Sequence, residues 1–513
     1  MGFPTRYRQD SNTVFNIFQR MYFAFVQDDW KITPKLSLNF GVRYEFATPP
    51  RERDNQWANF IPEAGAFISA KDGSLFDRSL IHPDYNNFAP RVGFSYRVFS
   101  NTVVRGAYGI FYNHANRQGR EGLLGFNFPY IIQFDRNITG SNTLKAGAEF
   151  FRLQNGIPAG LLDPAQVNPA TLGRKAQDAF QRTPYVQQWN FGIQRELGAG
   201  LLFDTAYVGN RGLKLPAFRN LNQRPFTFNA AGAPVVGPPS LAPLGISGDT
   251  VQYLENIGVS NYHSLQVRLE KRFSAGISGL ASYTWGKALT NAVDHLSTSG
   301  VGNGTDVGAF REAQNGLDRR AEYGPAEFDV KHRFIASAVW QLPYGRSGQR
   351  SVIRSVLGGW ELAPILTVQS GLALTVTQAE PVSIGGERRS RPNRIGSGEL
   401  SEDQRTVDNY LDASAFVPIQ TDPTRAGFTP GQIFGTSGVG ILRGPGLVNV
   451  DVNVTKMISI TERHRLQFRS EFFNLFNHSN LGVPGVNLGA GFGQIISTST
   501  EARVIQFALK YLF

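Results

Sequence analysis

Residues 36–46 alternate without a break. Leu36, Leu38, Phe40, Val42, Tyr44 and Phe46 fall on one face of a period-2 strand, and Ser37, Asn39, Gly41, Arg43 and Glu45 on the other. Val448, Val450, Val452 and Val454 oppose Asn449, Asp451 and Asn453 in the same way, and His263, Leu265, Val267 and Leu269 oppose Ser264, Gln266, Arg268 and Glu270. The last eleven residues repeat the pattern, with Ile505, Phe507, Leu509, Tyr511 and Phe513 against Gln506, Ala508 and Lys510. These polar faces carry full charges, and an Arg or Lys at the middle of a bilayer costs about 2–4 kcal/mol. Such strands need an apolar medium on one side and water on the other. Eleven residues at about 3.4 Å each, tilted by about 40°, rise roughly 28 Å, close to the thickness of a hydrocarbon layer. Strands of a soluble sandwich average nearer 5–6 residues.

Thirteen such strands can be read, at about 22–30, 35–46, 88–99, 102–113, 185–197, 200–211, 262–273, 277–288, 329–342, 358–370, 447–457, 463–476 and 502–513. Their connections alternate in length. Short ones lie at 31–34, 100–101, 198–199, 274–276 and 459–462, with a medium one at 343–357. Long ones lie between them, at about 47–87, 114–184, 212–261, 289–328, 371–446 and 477–501. Short turns on one side and long loops on the other are the pattern of an antiparallel up-and-down transmembrane β-barrel with long extracellular loops. The expected fold is therefore all-β, with residues 21–513 forming barrel and residues 1–20 a truncated loop or strand. Hidden hairpins in the long loops (126–134, 149–153, 372–378) could raise the strand number to about 18.

Composition narrows the alternatives. There is no Cys in 513 residues, which removes disulfides, thiolate metal sites and cysteine nucleophiles. No run approaches the ~20 apolar residues of a membrane-spanning helix. The net charge of +11 raises nucleic acid as a partner, but the basic residues form no block or helical stripe. They alternate through strands and scatter in loops, which suits a solvated lumen wall and a surface near outer-membrane lipid and anionic lipopolysaccharide. Nucleic acid is not expected. The opening Met1-Gly-Phe-Pro-Thr-Arg-Tyr-Arg8 has no apolar core and no small-residue cleavage site, so it is not read as a signal peptide. An odd strand number and this start together predict the C-terminal part of a longer barrel protein.

Several blocks together resemble the barrel of TonB-dependent outer-membrane receptors, in particular the Oar-like subfamily. They are Val26-Gln-Asp-Asp-Trp-Lys-Ile-Thr-Pro-Lys-Leu36, Arg105-Gly-Ala-Tyr-Gly-Ile-Phe-Tyr112, Pro184-Tyr-Val-Gln-Gln-Trp-Asn190, Ala206-Tyr-Val-Gly-Asn-Arg-Gly212 and Phe472-Phe-Asn-Leu-Phe-Asn477. The resemblance implies a 22-stranded barrel roughly 40 Å across, filled by a plug domain and energised through TonB. No plug and no TonB-contacting segment can be recognised in this sequence, so either the plug lies on a further part of the protein or this product is not a working transporter. The final strand is similar to the C-terminal insertion signal read by the barrel assembly machinery, which would engage Phe507, Leu509, Tyr511 and Phe513.

No catalytic chemistry stands out. The seven His show no metal spacing, and neither His-Glu-x-x-His, Gly-x-Ser-x-Gly nor a P-loop occurs. The Gly-rich 300–308 segment has no strand before it or helix after it, and Asp294, Asp306 and Asp318 fit no EF-hand spacing. No cofactor and no enzymatic activity are expected. Trp189, Trp285, Trp340 and Trp360 lie on apolar strand faces and read as interface aromatics. Phe126, Phe128 and Tyr130, with Arg388, Arg389 and Arg391, lie in the two longest loops and read as candidate ligand contacts. The function expected is an outer-membrane receptor binding and importing a bulky substrate. The alternatives are a surface-exposed adhesive barrel and a passive porin.

Overall fold

A computed structural model describes residues 6–513 except 12, 115–122, 138–162, 164, 166–173, 249, 293–312, 344–355, 357, 386–388 and 462. All thirteen expected strands are present: β1 (Met21–Thr33), β2 (Leu36–Ala47), β3 (Phe88–Phe99), β4 (Thr102–Tyr112), β5 (Tyr185–Gly198), β6 (Leu201–Asn220), β7 (Val251–Ser274), β8 (Ile277–Thr290), β9 (His332–Gln341), β10 (Trp360–Gln369), β11 (Leu447–Ser459), β12 (Arg465–Phe473) and β13 (Val504–Leu512). Each pairs with its sequence neighbour in antiparallel register, making the body of a 15-stranded sheet with two short added strands. The outer edges of β1 and β13 carry no partner strand among the described residues.

The register confirms the two faces. Val452 lies opposite Phe472 and Pro364, whereas Asn453 lies opposite Glu471 and Ala363. The tight turns suit their sequences: between β7 and β8, Ala275 (φ 53°) and Gly276 (φ 83°) both take the left-handed region that a two-residue hairpin turn requires.

Two strands run well past their expected ends. β6 continues to Asn220 through register shifts around Leu215, and β7 begins at Val251. The first five residues of β7 are all buried. With protein on both sides, the alternation that marks a lipid-facing strand is no longer required. Arg174–Gln177 pairs in parallel with Val251–Leu254, an added strand that periodicity did not reveal.

The hydrophobic core sits beyond the alternating part of the strands. Trp57, Leu80, Ile81 and Leu124 form one cluster, Phe60, Val251 and Tyr253 a second, and Leu374, Val376, Leu411, Phe416 and Leu442 a third. All belong to the long connections or to the strand extensions reaching into them. The strand wall itself is one layer thick, so its apolar face is exposed until lipid covers it. Part of the N-terminal segment joins this loop assembly: Arg6–Asp10 pairs with Gln133–Asn137, and Ile17–Phe18 with Arg51–Glu52.

Candidate functional site: lumen wall and loop roof

On the polar face, opposite charges lie within reach, two residues apart along one strand or, for Arg105 on β4 and Asp204 on β6, across an intervening strand. Arg105 pairs with Asp204, Arg43 with Glu45 at 2.7 Å, Arg268 with Glu270 at 2.6 Å, and Arg469 with Glu471. Asn39 donates to Asp29 at 2.8 Å. The wall is thus a hydrated, charge-balanced surface rather than an apolar core. Across β1–β5 it dips into a concavity of about 510 Å³ bordered by Phe25, Asn39, Arg43, Arg91, Phe111 and Gln188. Its floor is low because Gly41 lies opposite Arg91 and Arg91 opposite Gly109 in one cross-strand row. A Cβ at Gly41 would come within 2.8 Å of the Val26 carbonyl oxygen.

At the long-loop end the connections form a folded roof held by guanidinium–carboxylate clamps. Arg391 donates from Nη1 to both oxygens of Glu322 at 2.8 Å and from Nε to the Ser437 carbonyl at 2.8 Å. Arg319 and Arg219 both reach Glu255, at 3.4 and 3.0 Å. Burial lowers the pKa of Arg319, opposed by the Glu255 charge. Arg443 pairs with the buried Asp329, and Arg389 with Glu327. His82 is sandwiched between Phe76 and Phe180, with ring centroids at 4.2 and 4.5 Å. Half-buried Tyr410 is shifted upward in pKa by desolvation, against the opposing charge of Arg405.

The sequence matches the family described as outer membrane beta barrel domain across residues 1–506. The chain belongs to that family. An outer-membrane barrel domain accounts at once for the lipid-type face, the charged wall and the alternation of turns and loops, and it places the protein in the outer membrane. Comparison with curated proteins finds no match. Among solved structures, the chain is similar to the ferripyoverdine receptor of Pseudomonas aeruginosa (10% identity, 97% of this chain, 39% of that one, TM-score 0.44). It is also similar to the transporter YddB of Escherichia coli (10%, 97%, 55%, 0.45) and to the iron transporter FrpB of Neisseria meningitidis (9%, 98%, 46%, 0.44). The chain spans about half or less of the length of these structures.

The residues singled out from sequence fall in distinct parts of this barrel domain. Trp189 and Trp285 lie toward the loop end of the apolar face, and Trp340 and Trp360 toward the turn end. Two bands of aromatics separated along the strands result. Phe507, Leu509 and Tyr511 share one face of β13 and Phe513 follows its end, all four exposed, with Phe507 stacked on Phe468 at 6.2 Å. Phe126 is exposed in the roof, whereas Phe128 and Tyr130 are half-buried. Arg391 is not a surface side chain: it is 2% exposed and its guanidinium is occupied by Glu322, Ser437 and Ala321. Arg389 is largely covered and paired. Arg388, Asp294, Asp306 and the Gly-rich 300–308 segment lie outside the described residues. The residues that sequence reasoning missed are the acids of the clamps, Glu255, Glu322 and Asp329. Each is a single carboxylate, in a long connection or in the strand extension reaching into it, whose partner is remote in sequence.

Proposed function

We propose that this chain is the membrane-spanning wall and extracellular roof of a TonB-dependent-type receptor. In this reading the roof binds a bulky substrate, and import proceeds when the wall is joined to its plug and energised through TonB. The observation that carries the reading is the roof itself, with its own buried clusters and clamps above a wide, charge-lined wall. Connections that only link strands need no core, and long loops that fold are usually functional. The sequence blocks that resemble the Oar-like barrels supply the TonB-linked part.

The reading is tested in the full-length parent by site-specific crosslinking to TonB in living cells. A crosslink that rises when the external ligand is present supports driven import. A surface-exposed barrel with no crosslink favours the adhesive alternative, which the interlocked roof would also suit. A large stable conductance in planar bilayers would instead mark a porin.

A further inference from the structure

Where the wall meets the roof, the end of β2, the segment after β4, the approach to β5 and the extension of β7 border a cavity of about 70 Å³. His82, Asp84, His114, Gln181, Arg182 and Asn256 are among its lining side chains. The charges around it are already matched. Asp84, 8% exposed, accepts from Arg182 Nη1 at 2.9 Å and from the Thr183 N–H at 2.8 Å. Glu45 is shared between Arg43 Nε at 2.7 Å and His114 Nε2 at 2.8 Å.

The neutral groups are not all satisfied. The Asn256 amide is oriented by a 2.7 Å bond from Nδ2 to the Arg182 carbonyl, which leaves its buried Oδ1 without a donor among the described residues. A buried acceptor of this kind calls for one. Among the described residues the Gln181 side chain has no hydrogen-bond partner, and His82 has none at either ring nitrogen. The His82 ring is held instead by its two faces, between Phe76 and Phe180, so its nitrogen-bearing edge stays available. Phe180 is 60% exposed and carries this stack outward beside the cavity.

We propose that this cavity takes the hydroxyl-bearing edge of a neutral hexose, which, on the receptor reading above, makes the substrate a glycan. The apolar face of the sugar ring lies against Phe180. A hydroxyl donates and accepts at once, so a vicinal pair donates to Asn256 Oδ1 while exchanging bonds with His82 and Gln181. An ionised carboxylate only accepts. It would leave Asn256 Oδ1 unpaired and would meet Asp84 and Glu45 with the neighbouring cations already engaged. No group of three or more His, Asp or Glu able to hold a metal ion occurs among the described residues, so nothing in the lining favours a metal chelate. At about 70 Å³, roughly the space of two waters, the cavity admits one edge of a ring and leaves the rest of a larger glycan to the surrounding roof.

The test uses the full-length parent in a polyoxyethylene detergent, which carries no sugar. The methyl glycosides of glucose, mannose and galactose are titrated by saturation-transfer NMR; together they present trans and cis vicinal hydroxyl pairs. At least one is expected to bind. F180A and Q181A are each expected to weaken that binding about fivefold, by removing the stacking face and one hydrogen bond. The permethylated form of the same hexoside, which accepts but cannot donate, is expected not to bind. Heat-modifiable gel mobility checks that each variant is folded, and either variant gives the reading if the other is not recovered. Absence of transfer from all three hexosides overturns the proposal. So does unchanged affinity in a folded variant, or equal binding of the permethylated form. Hexoside contact is read without TonB, so its absence where TonB crosslinking persists removes the glycan and leaves the receptor.

Discussion

Arg391 and Glu322 lie 69 residues apart in sequence, yet Nη1 of the first is 2.8 Å from both carboxylate oxygens of the second, and both side chains are almost fully buried. The Glu322 carboxylate also accepts from the Gln314 backbone N–H at 3.1 Å, and the Gln314 side-chain oxygen accepts from the Arg391 N–H at 2.9 Å. Two loops, 289–328 and 371–446, are thereby locked through one closed set of hydrogen bonds.

Removing one partner leaves the other charge buried and uncompensated. Glu322→Ala is expected to cost the roof about 3–5 kcal/mol. The barrel strands, whose pairing does not involve this ion pair, should still insert. Limited trypsin digestion of outer-membrane preparations checks this: cleavage within 371–446 should appear, with heat-modifiable mobility retained. The double variant E322L/R391M, which replaces the pair by apolar groups, should recover most of the protection.

Val452 and Asn453 are adjacent at mid-strand and point to opposite media. Val452→Arg is expected to impair insertion by about 2–4 kcal/mol, and Asn453→Arg by much less. Comparing the folded fraction of each variant in outer membranes by gel mobility decides the matter. Equal defects would mean that the assignment of the two faces of β11 is wrong.

Gly209 lies opposite Trp189, and a Cβ there would meet the indole at 2.5 Å. Gly209→Val should therefore displace the Trp189 ring from its place beside His263. The expected signature is a change in the near-ultraviolet circular dichroism of the folded barrel, absent when the same substitution is made on a Trp189→Phe background.

Deleting 380–410 removes Arg391 and buried Ile384 while leaving Glu322 in place. The β10–β11 ladder, running from Trp360 opposite Lys456 to Gln369 opposite Leu447, lies outside the deletion. Insertion should survive, and roof protection and substrate uptake by the full-length parent should be lost together. Uptake with an unprotected roof would place the binding site on another part of the protein.

The strands were readable because lipid and water impose opposite demands on alternate residues, so Leu36 to Phe46 could hardly be misread. Where that demand ends, so does the signal. The stretch from Val251 to Glu255 is buried on both sides and shows no alternation, and its pairing with Arg174–Gln177 involves only four residues on each side. Arg391 illustrates the loops. A single Arg in a polar stretch reads as a solvated side chain, and only the folded chain brings it to Glu322.

The clamps also constrain how such a roof can change over evolutionary time. A residue such as Ile395, 69% exposed, can be exchanged with little effect on its surroundings. Neither half of the Arg391–Glu322 pair can be lost alone without stranding its mate. Variation in surface recognition is therefore channelled to the tips between clamps, while the frame beneath drifts only through coupled, two-site replacements.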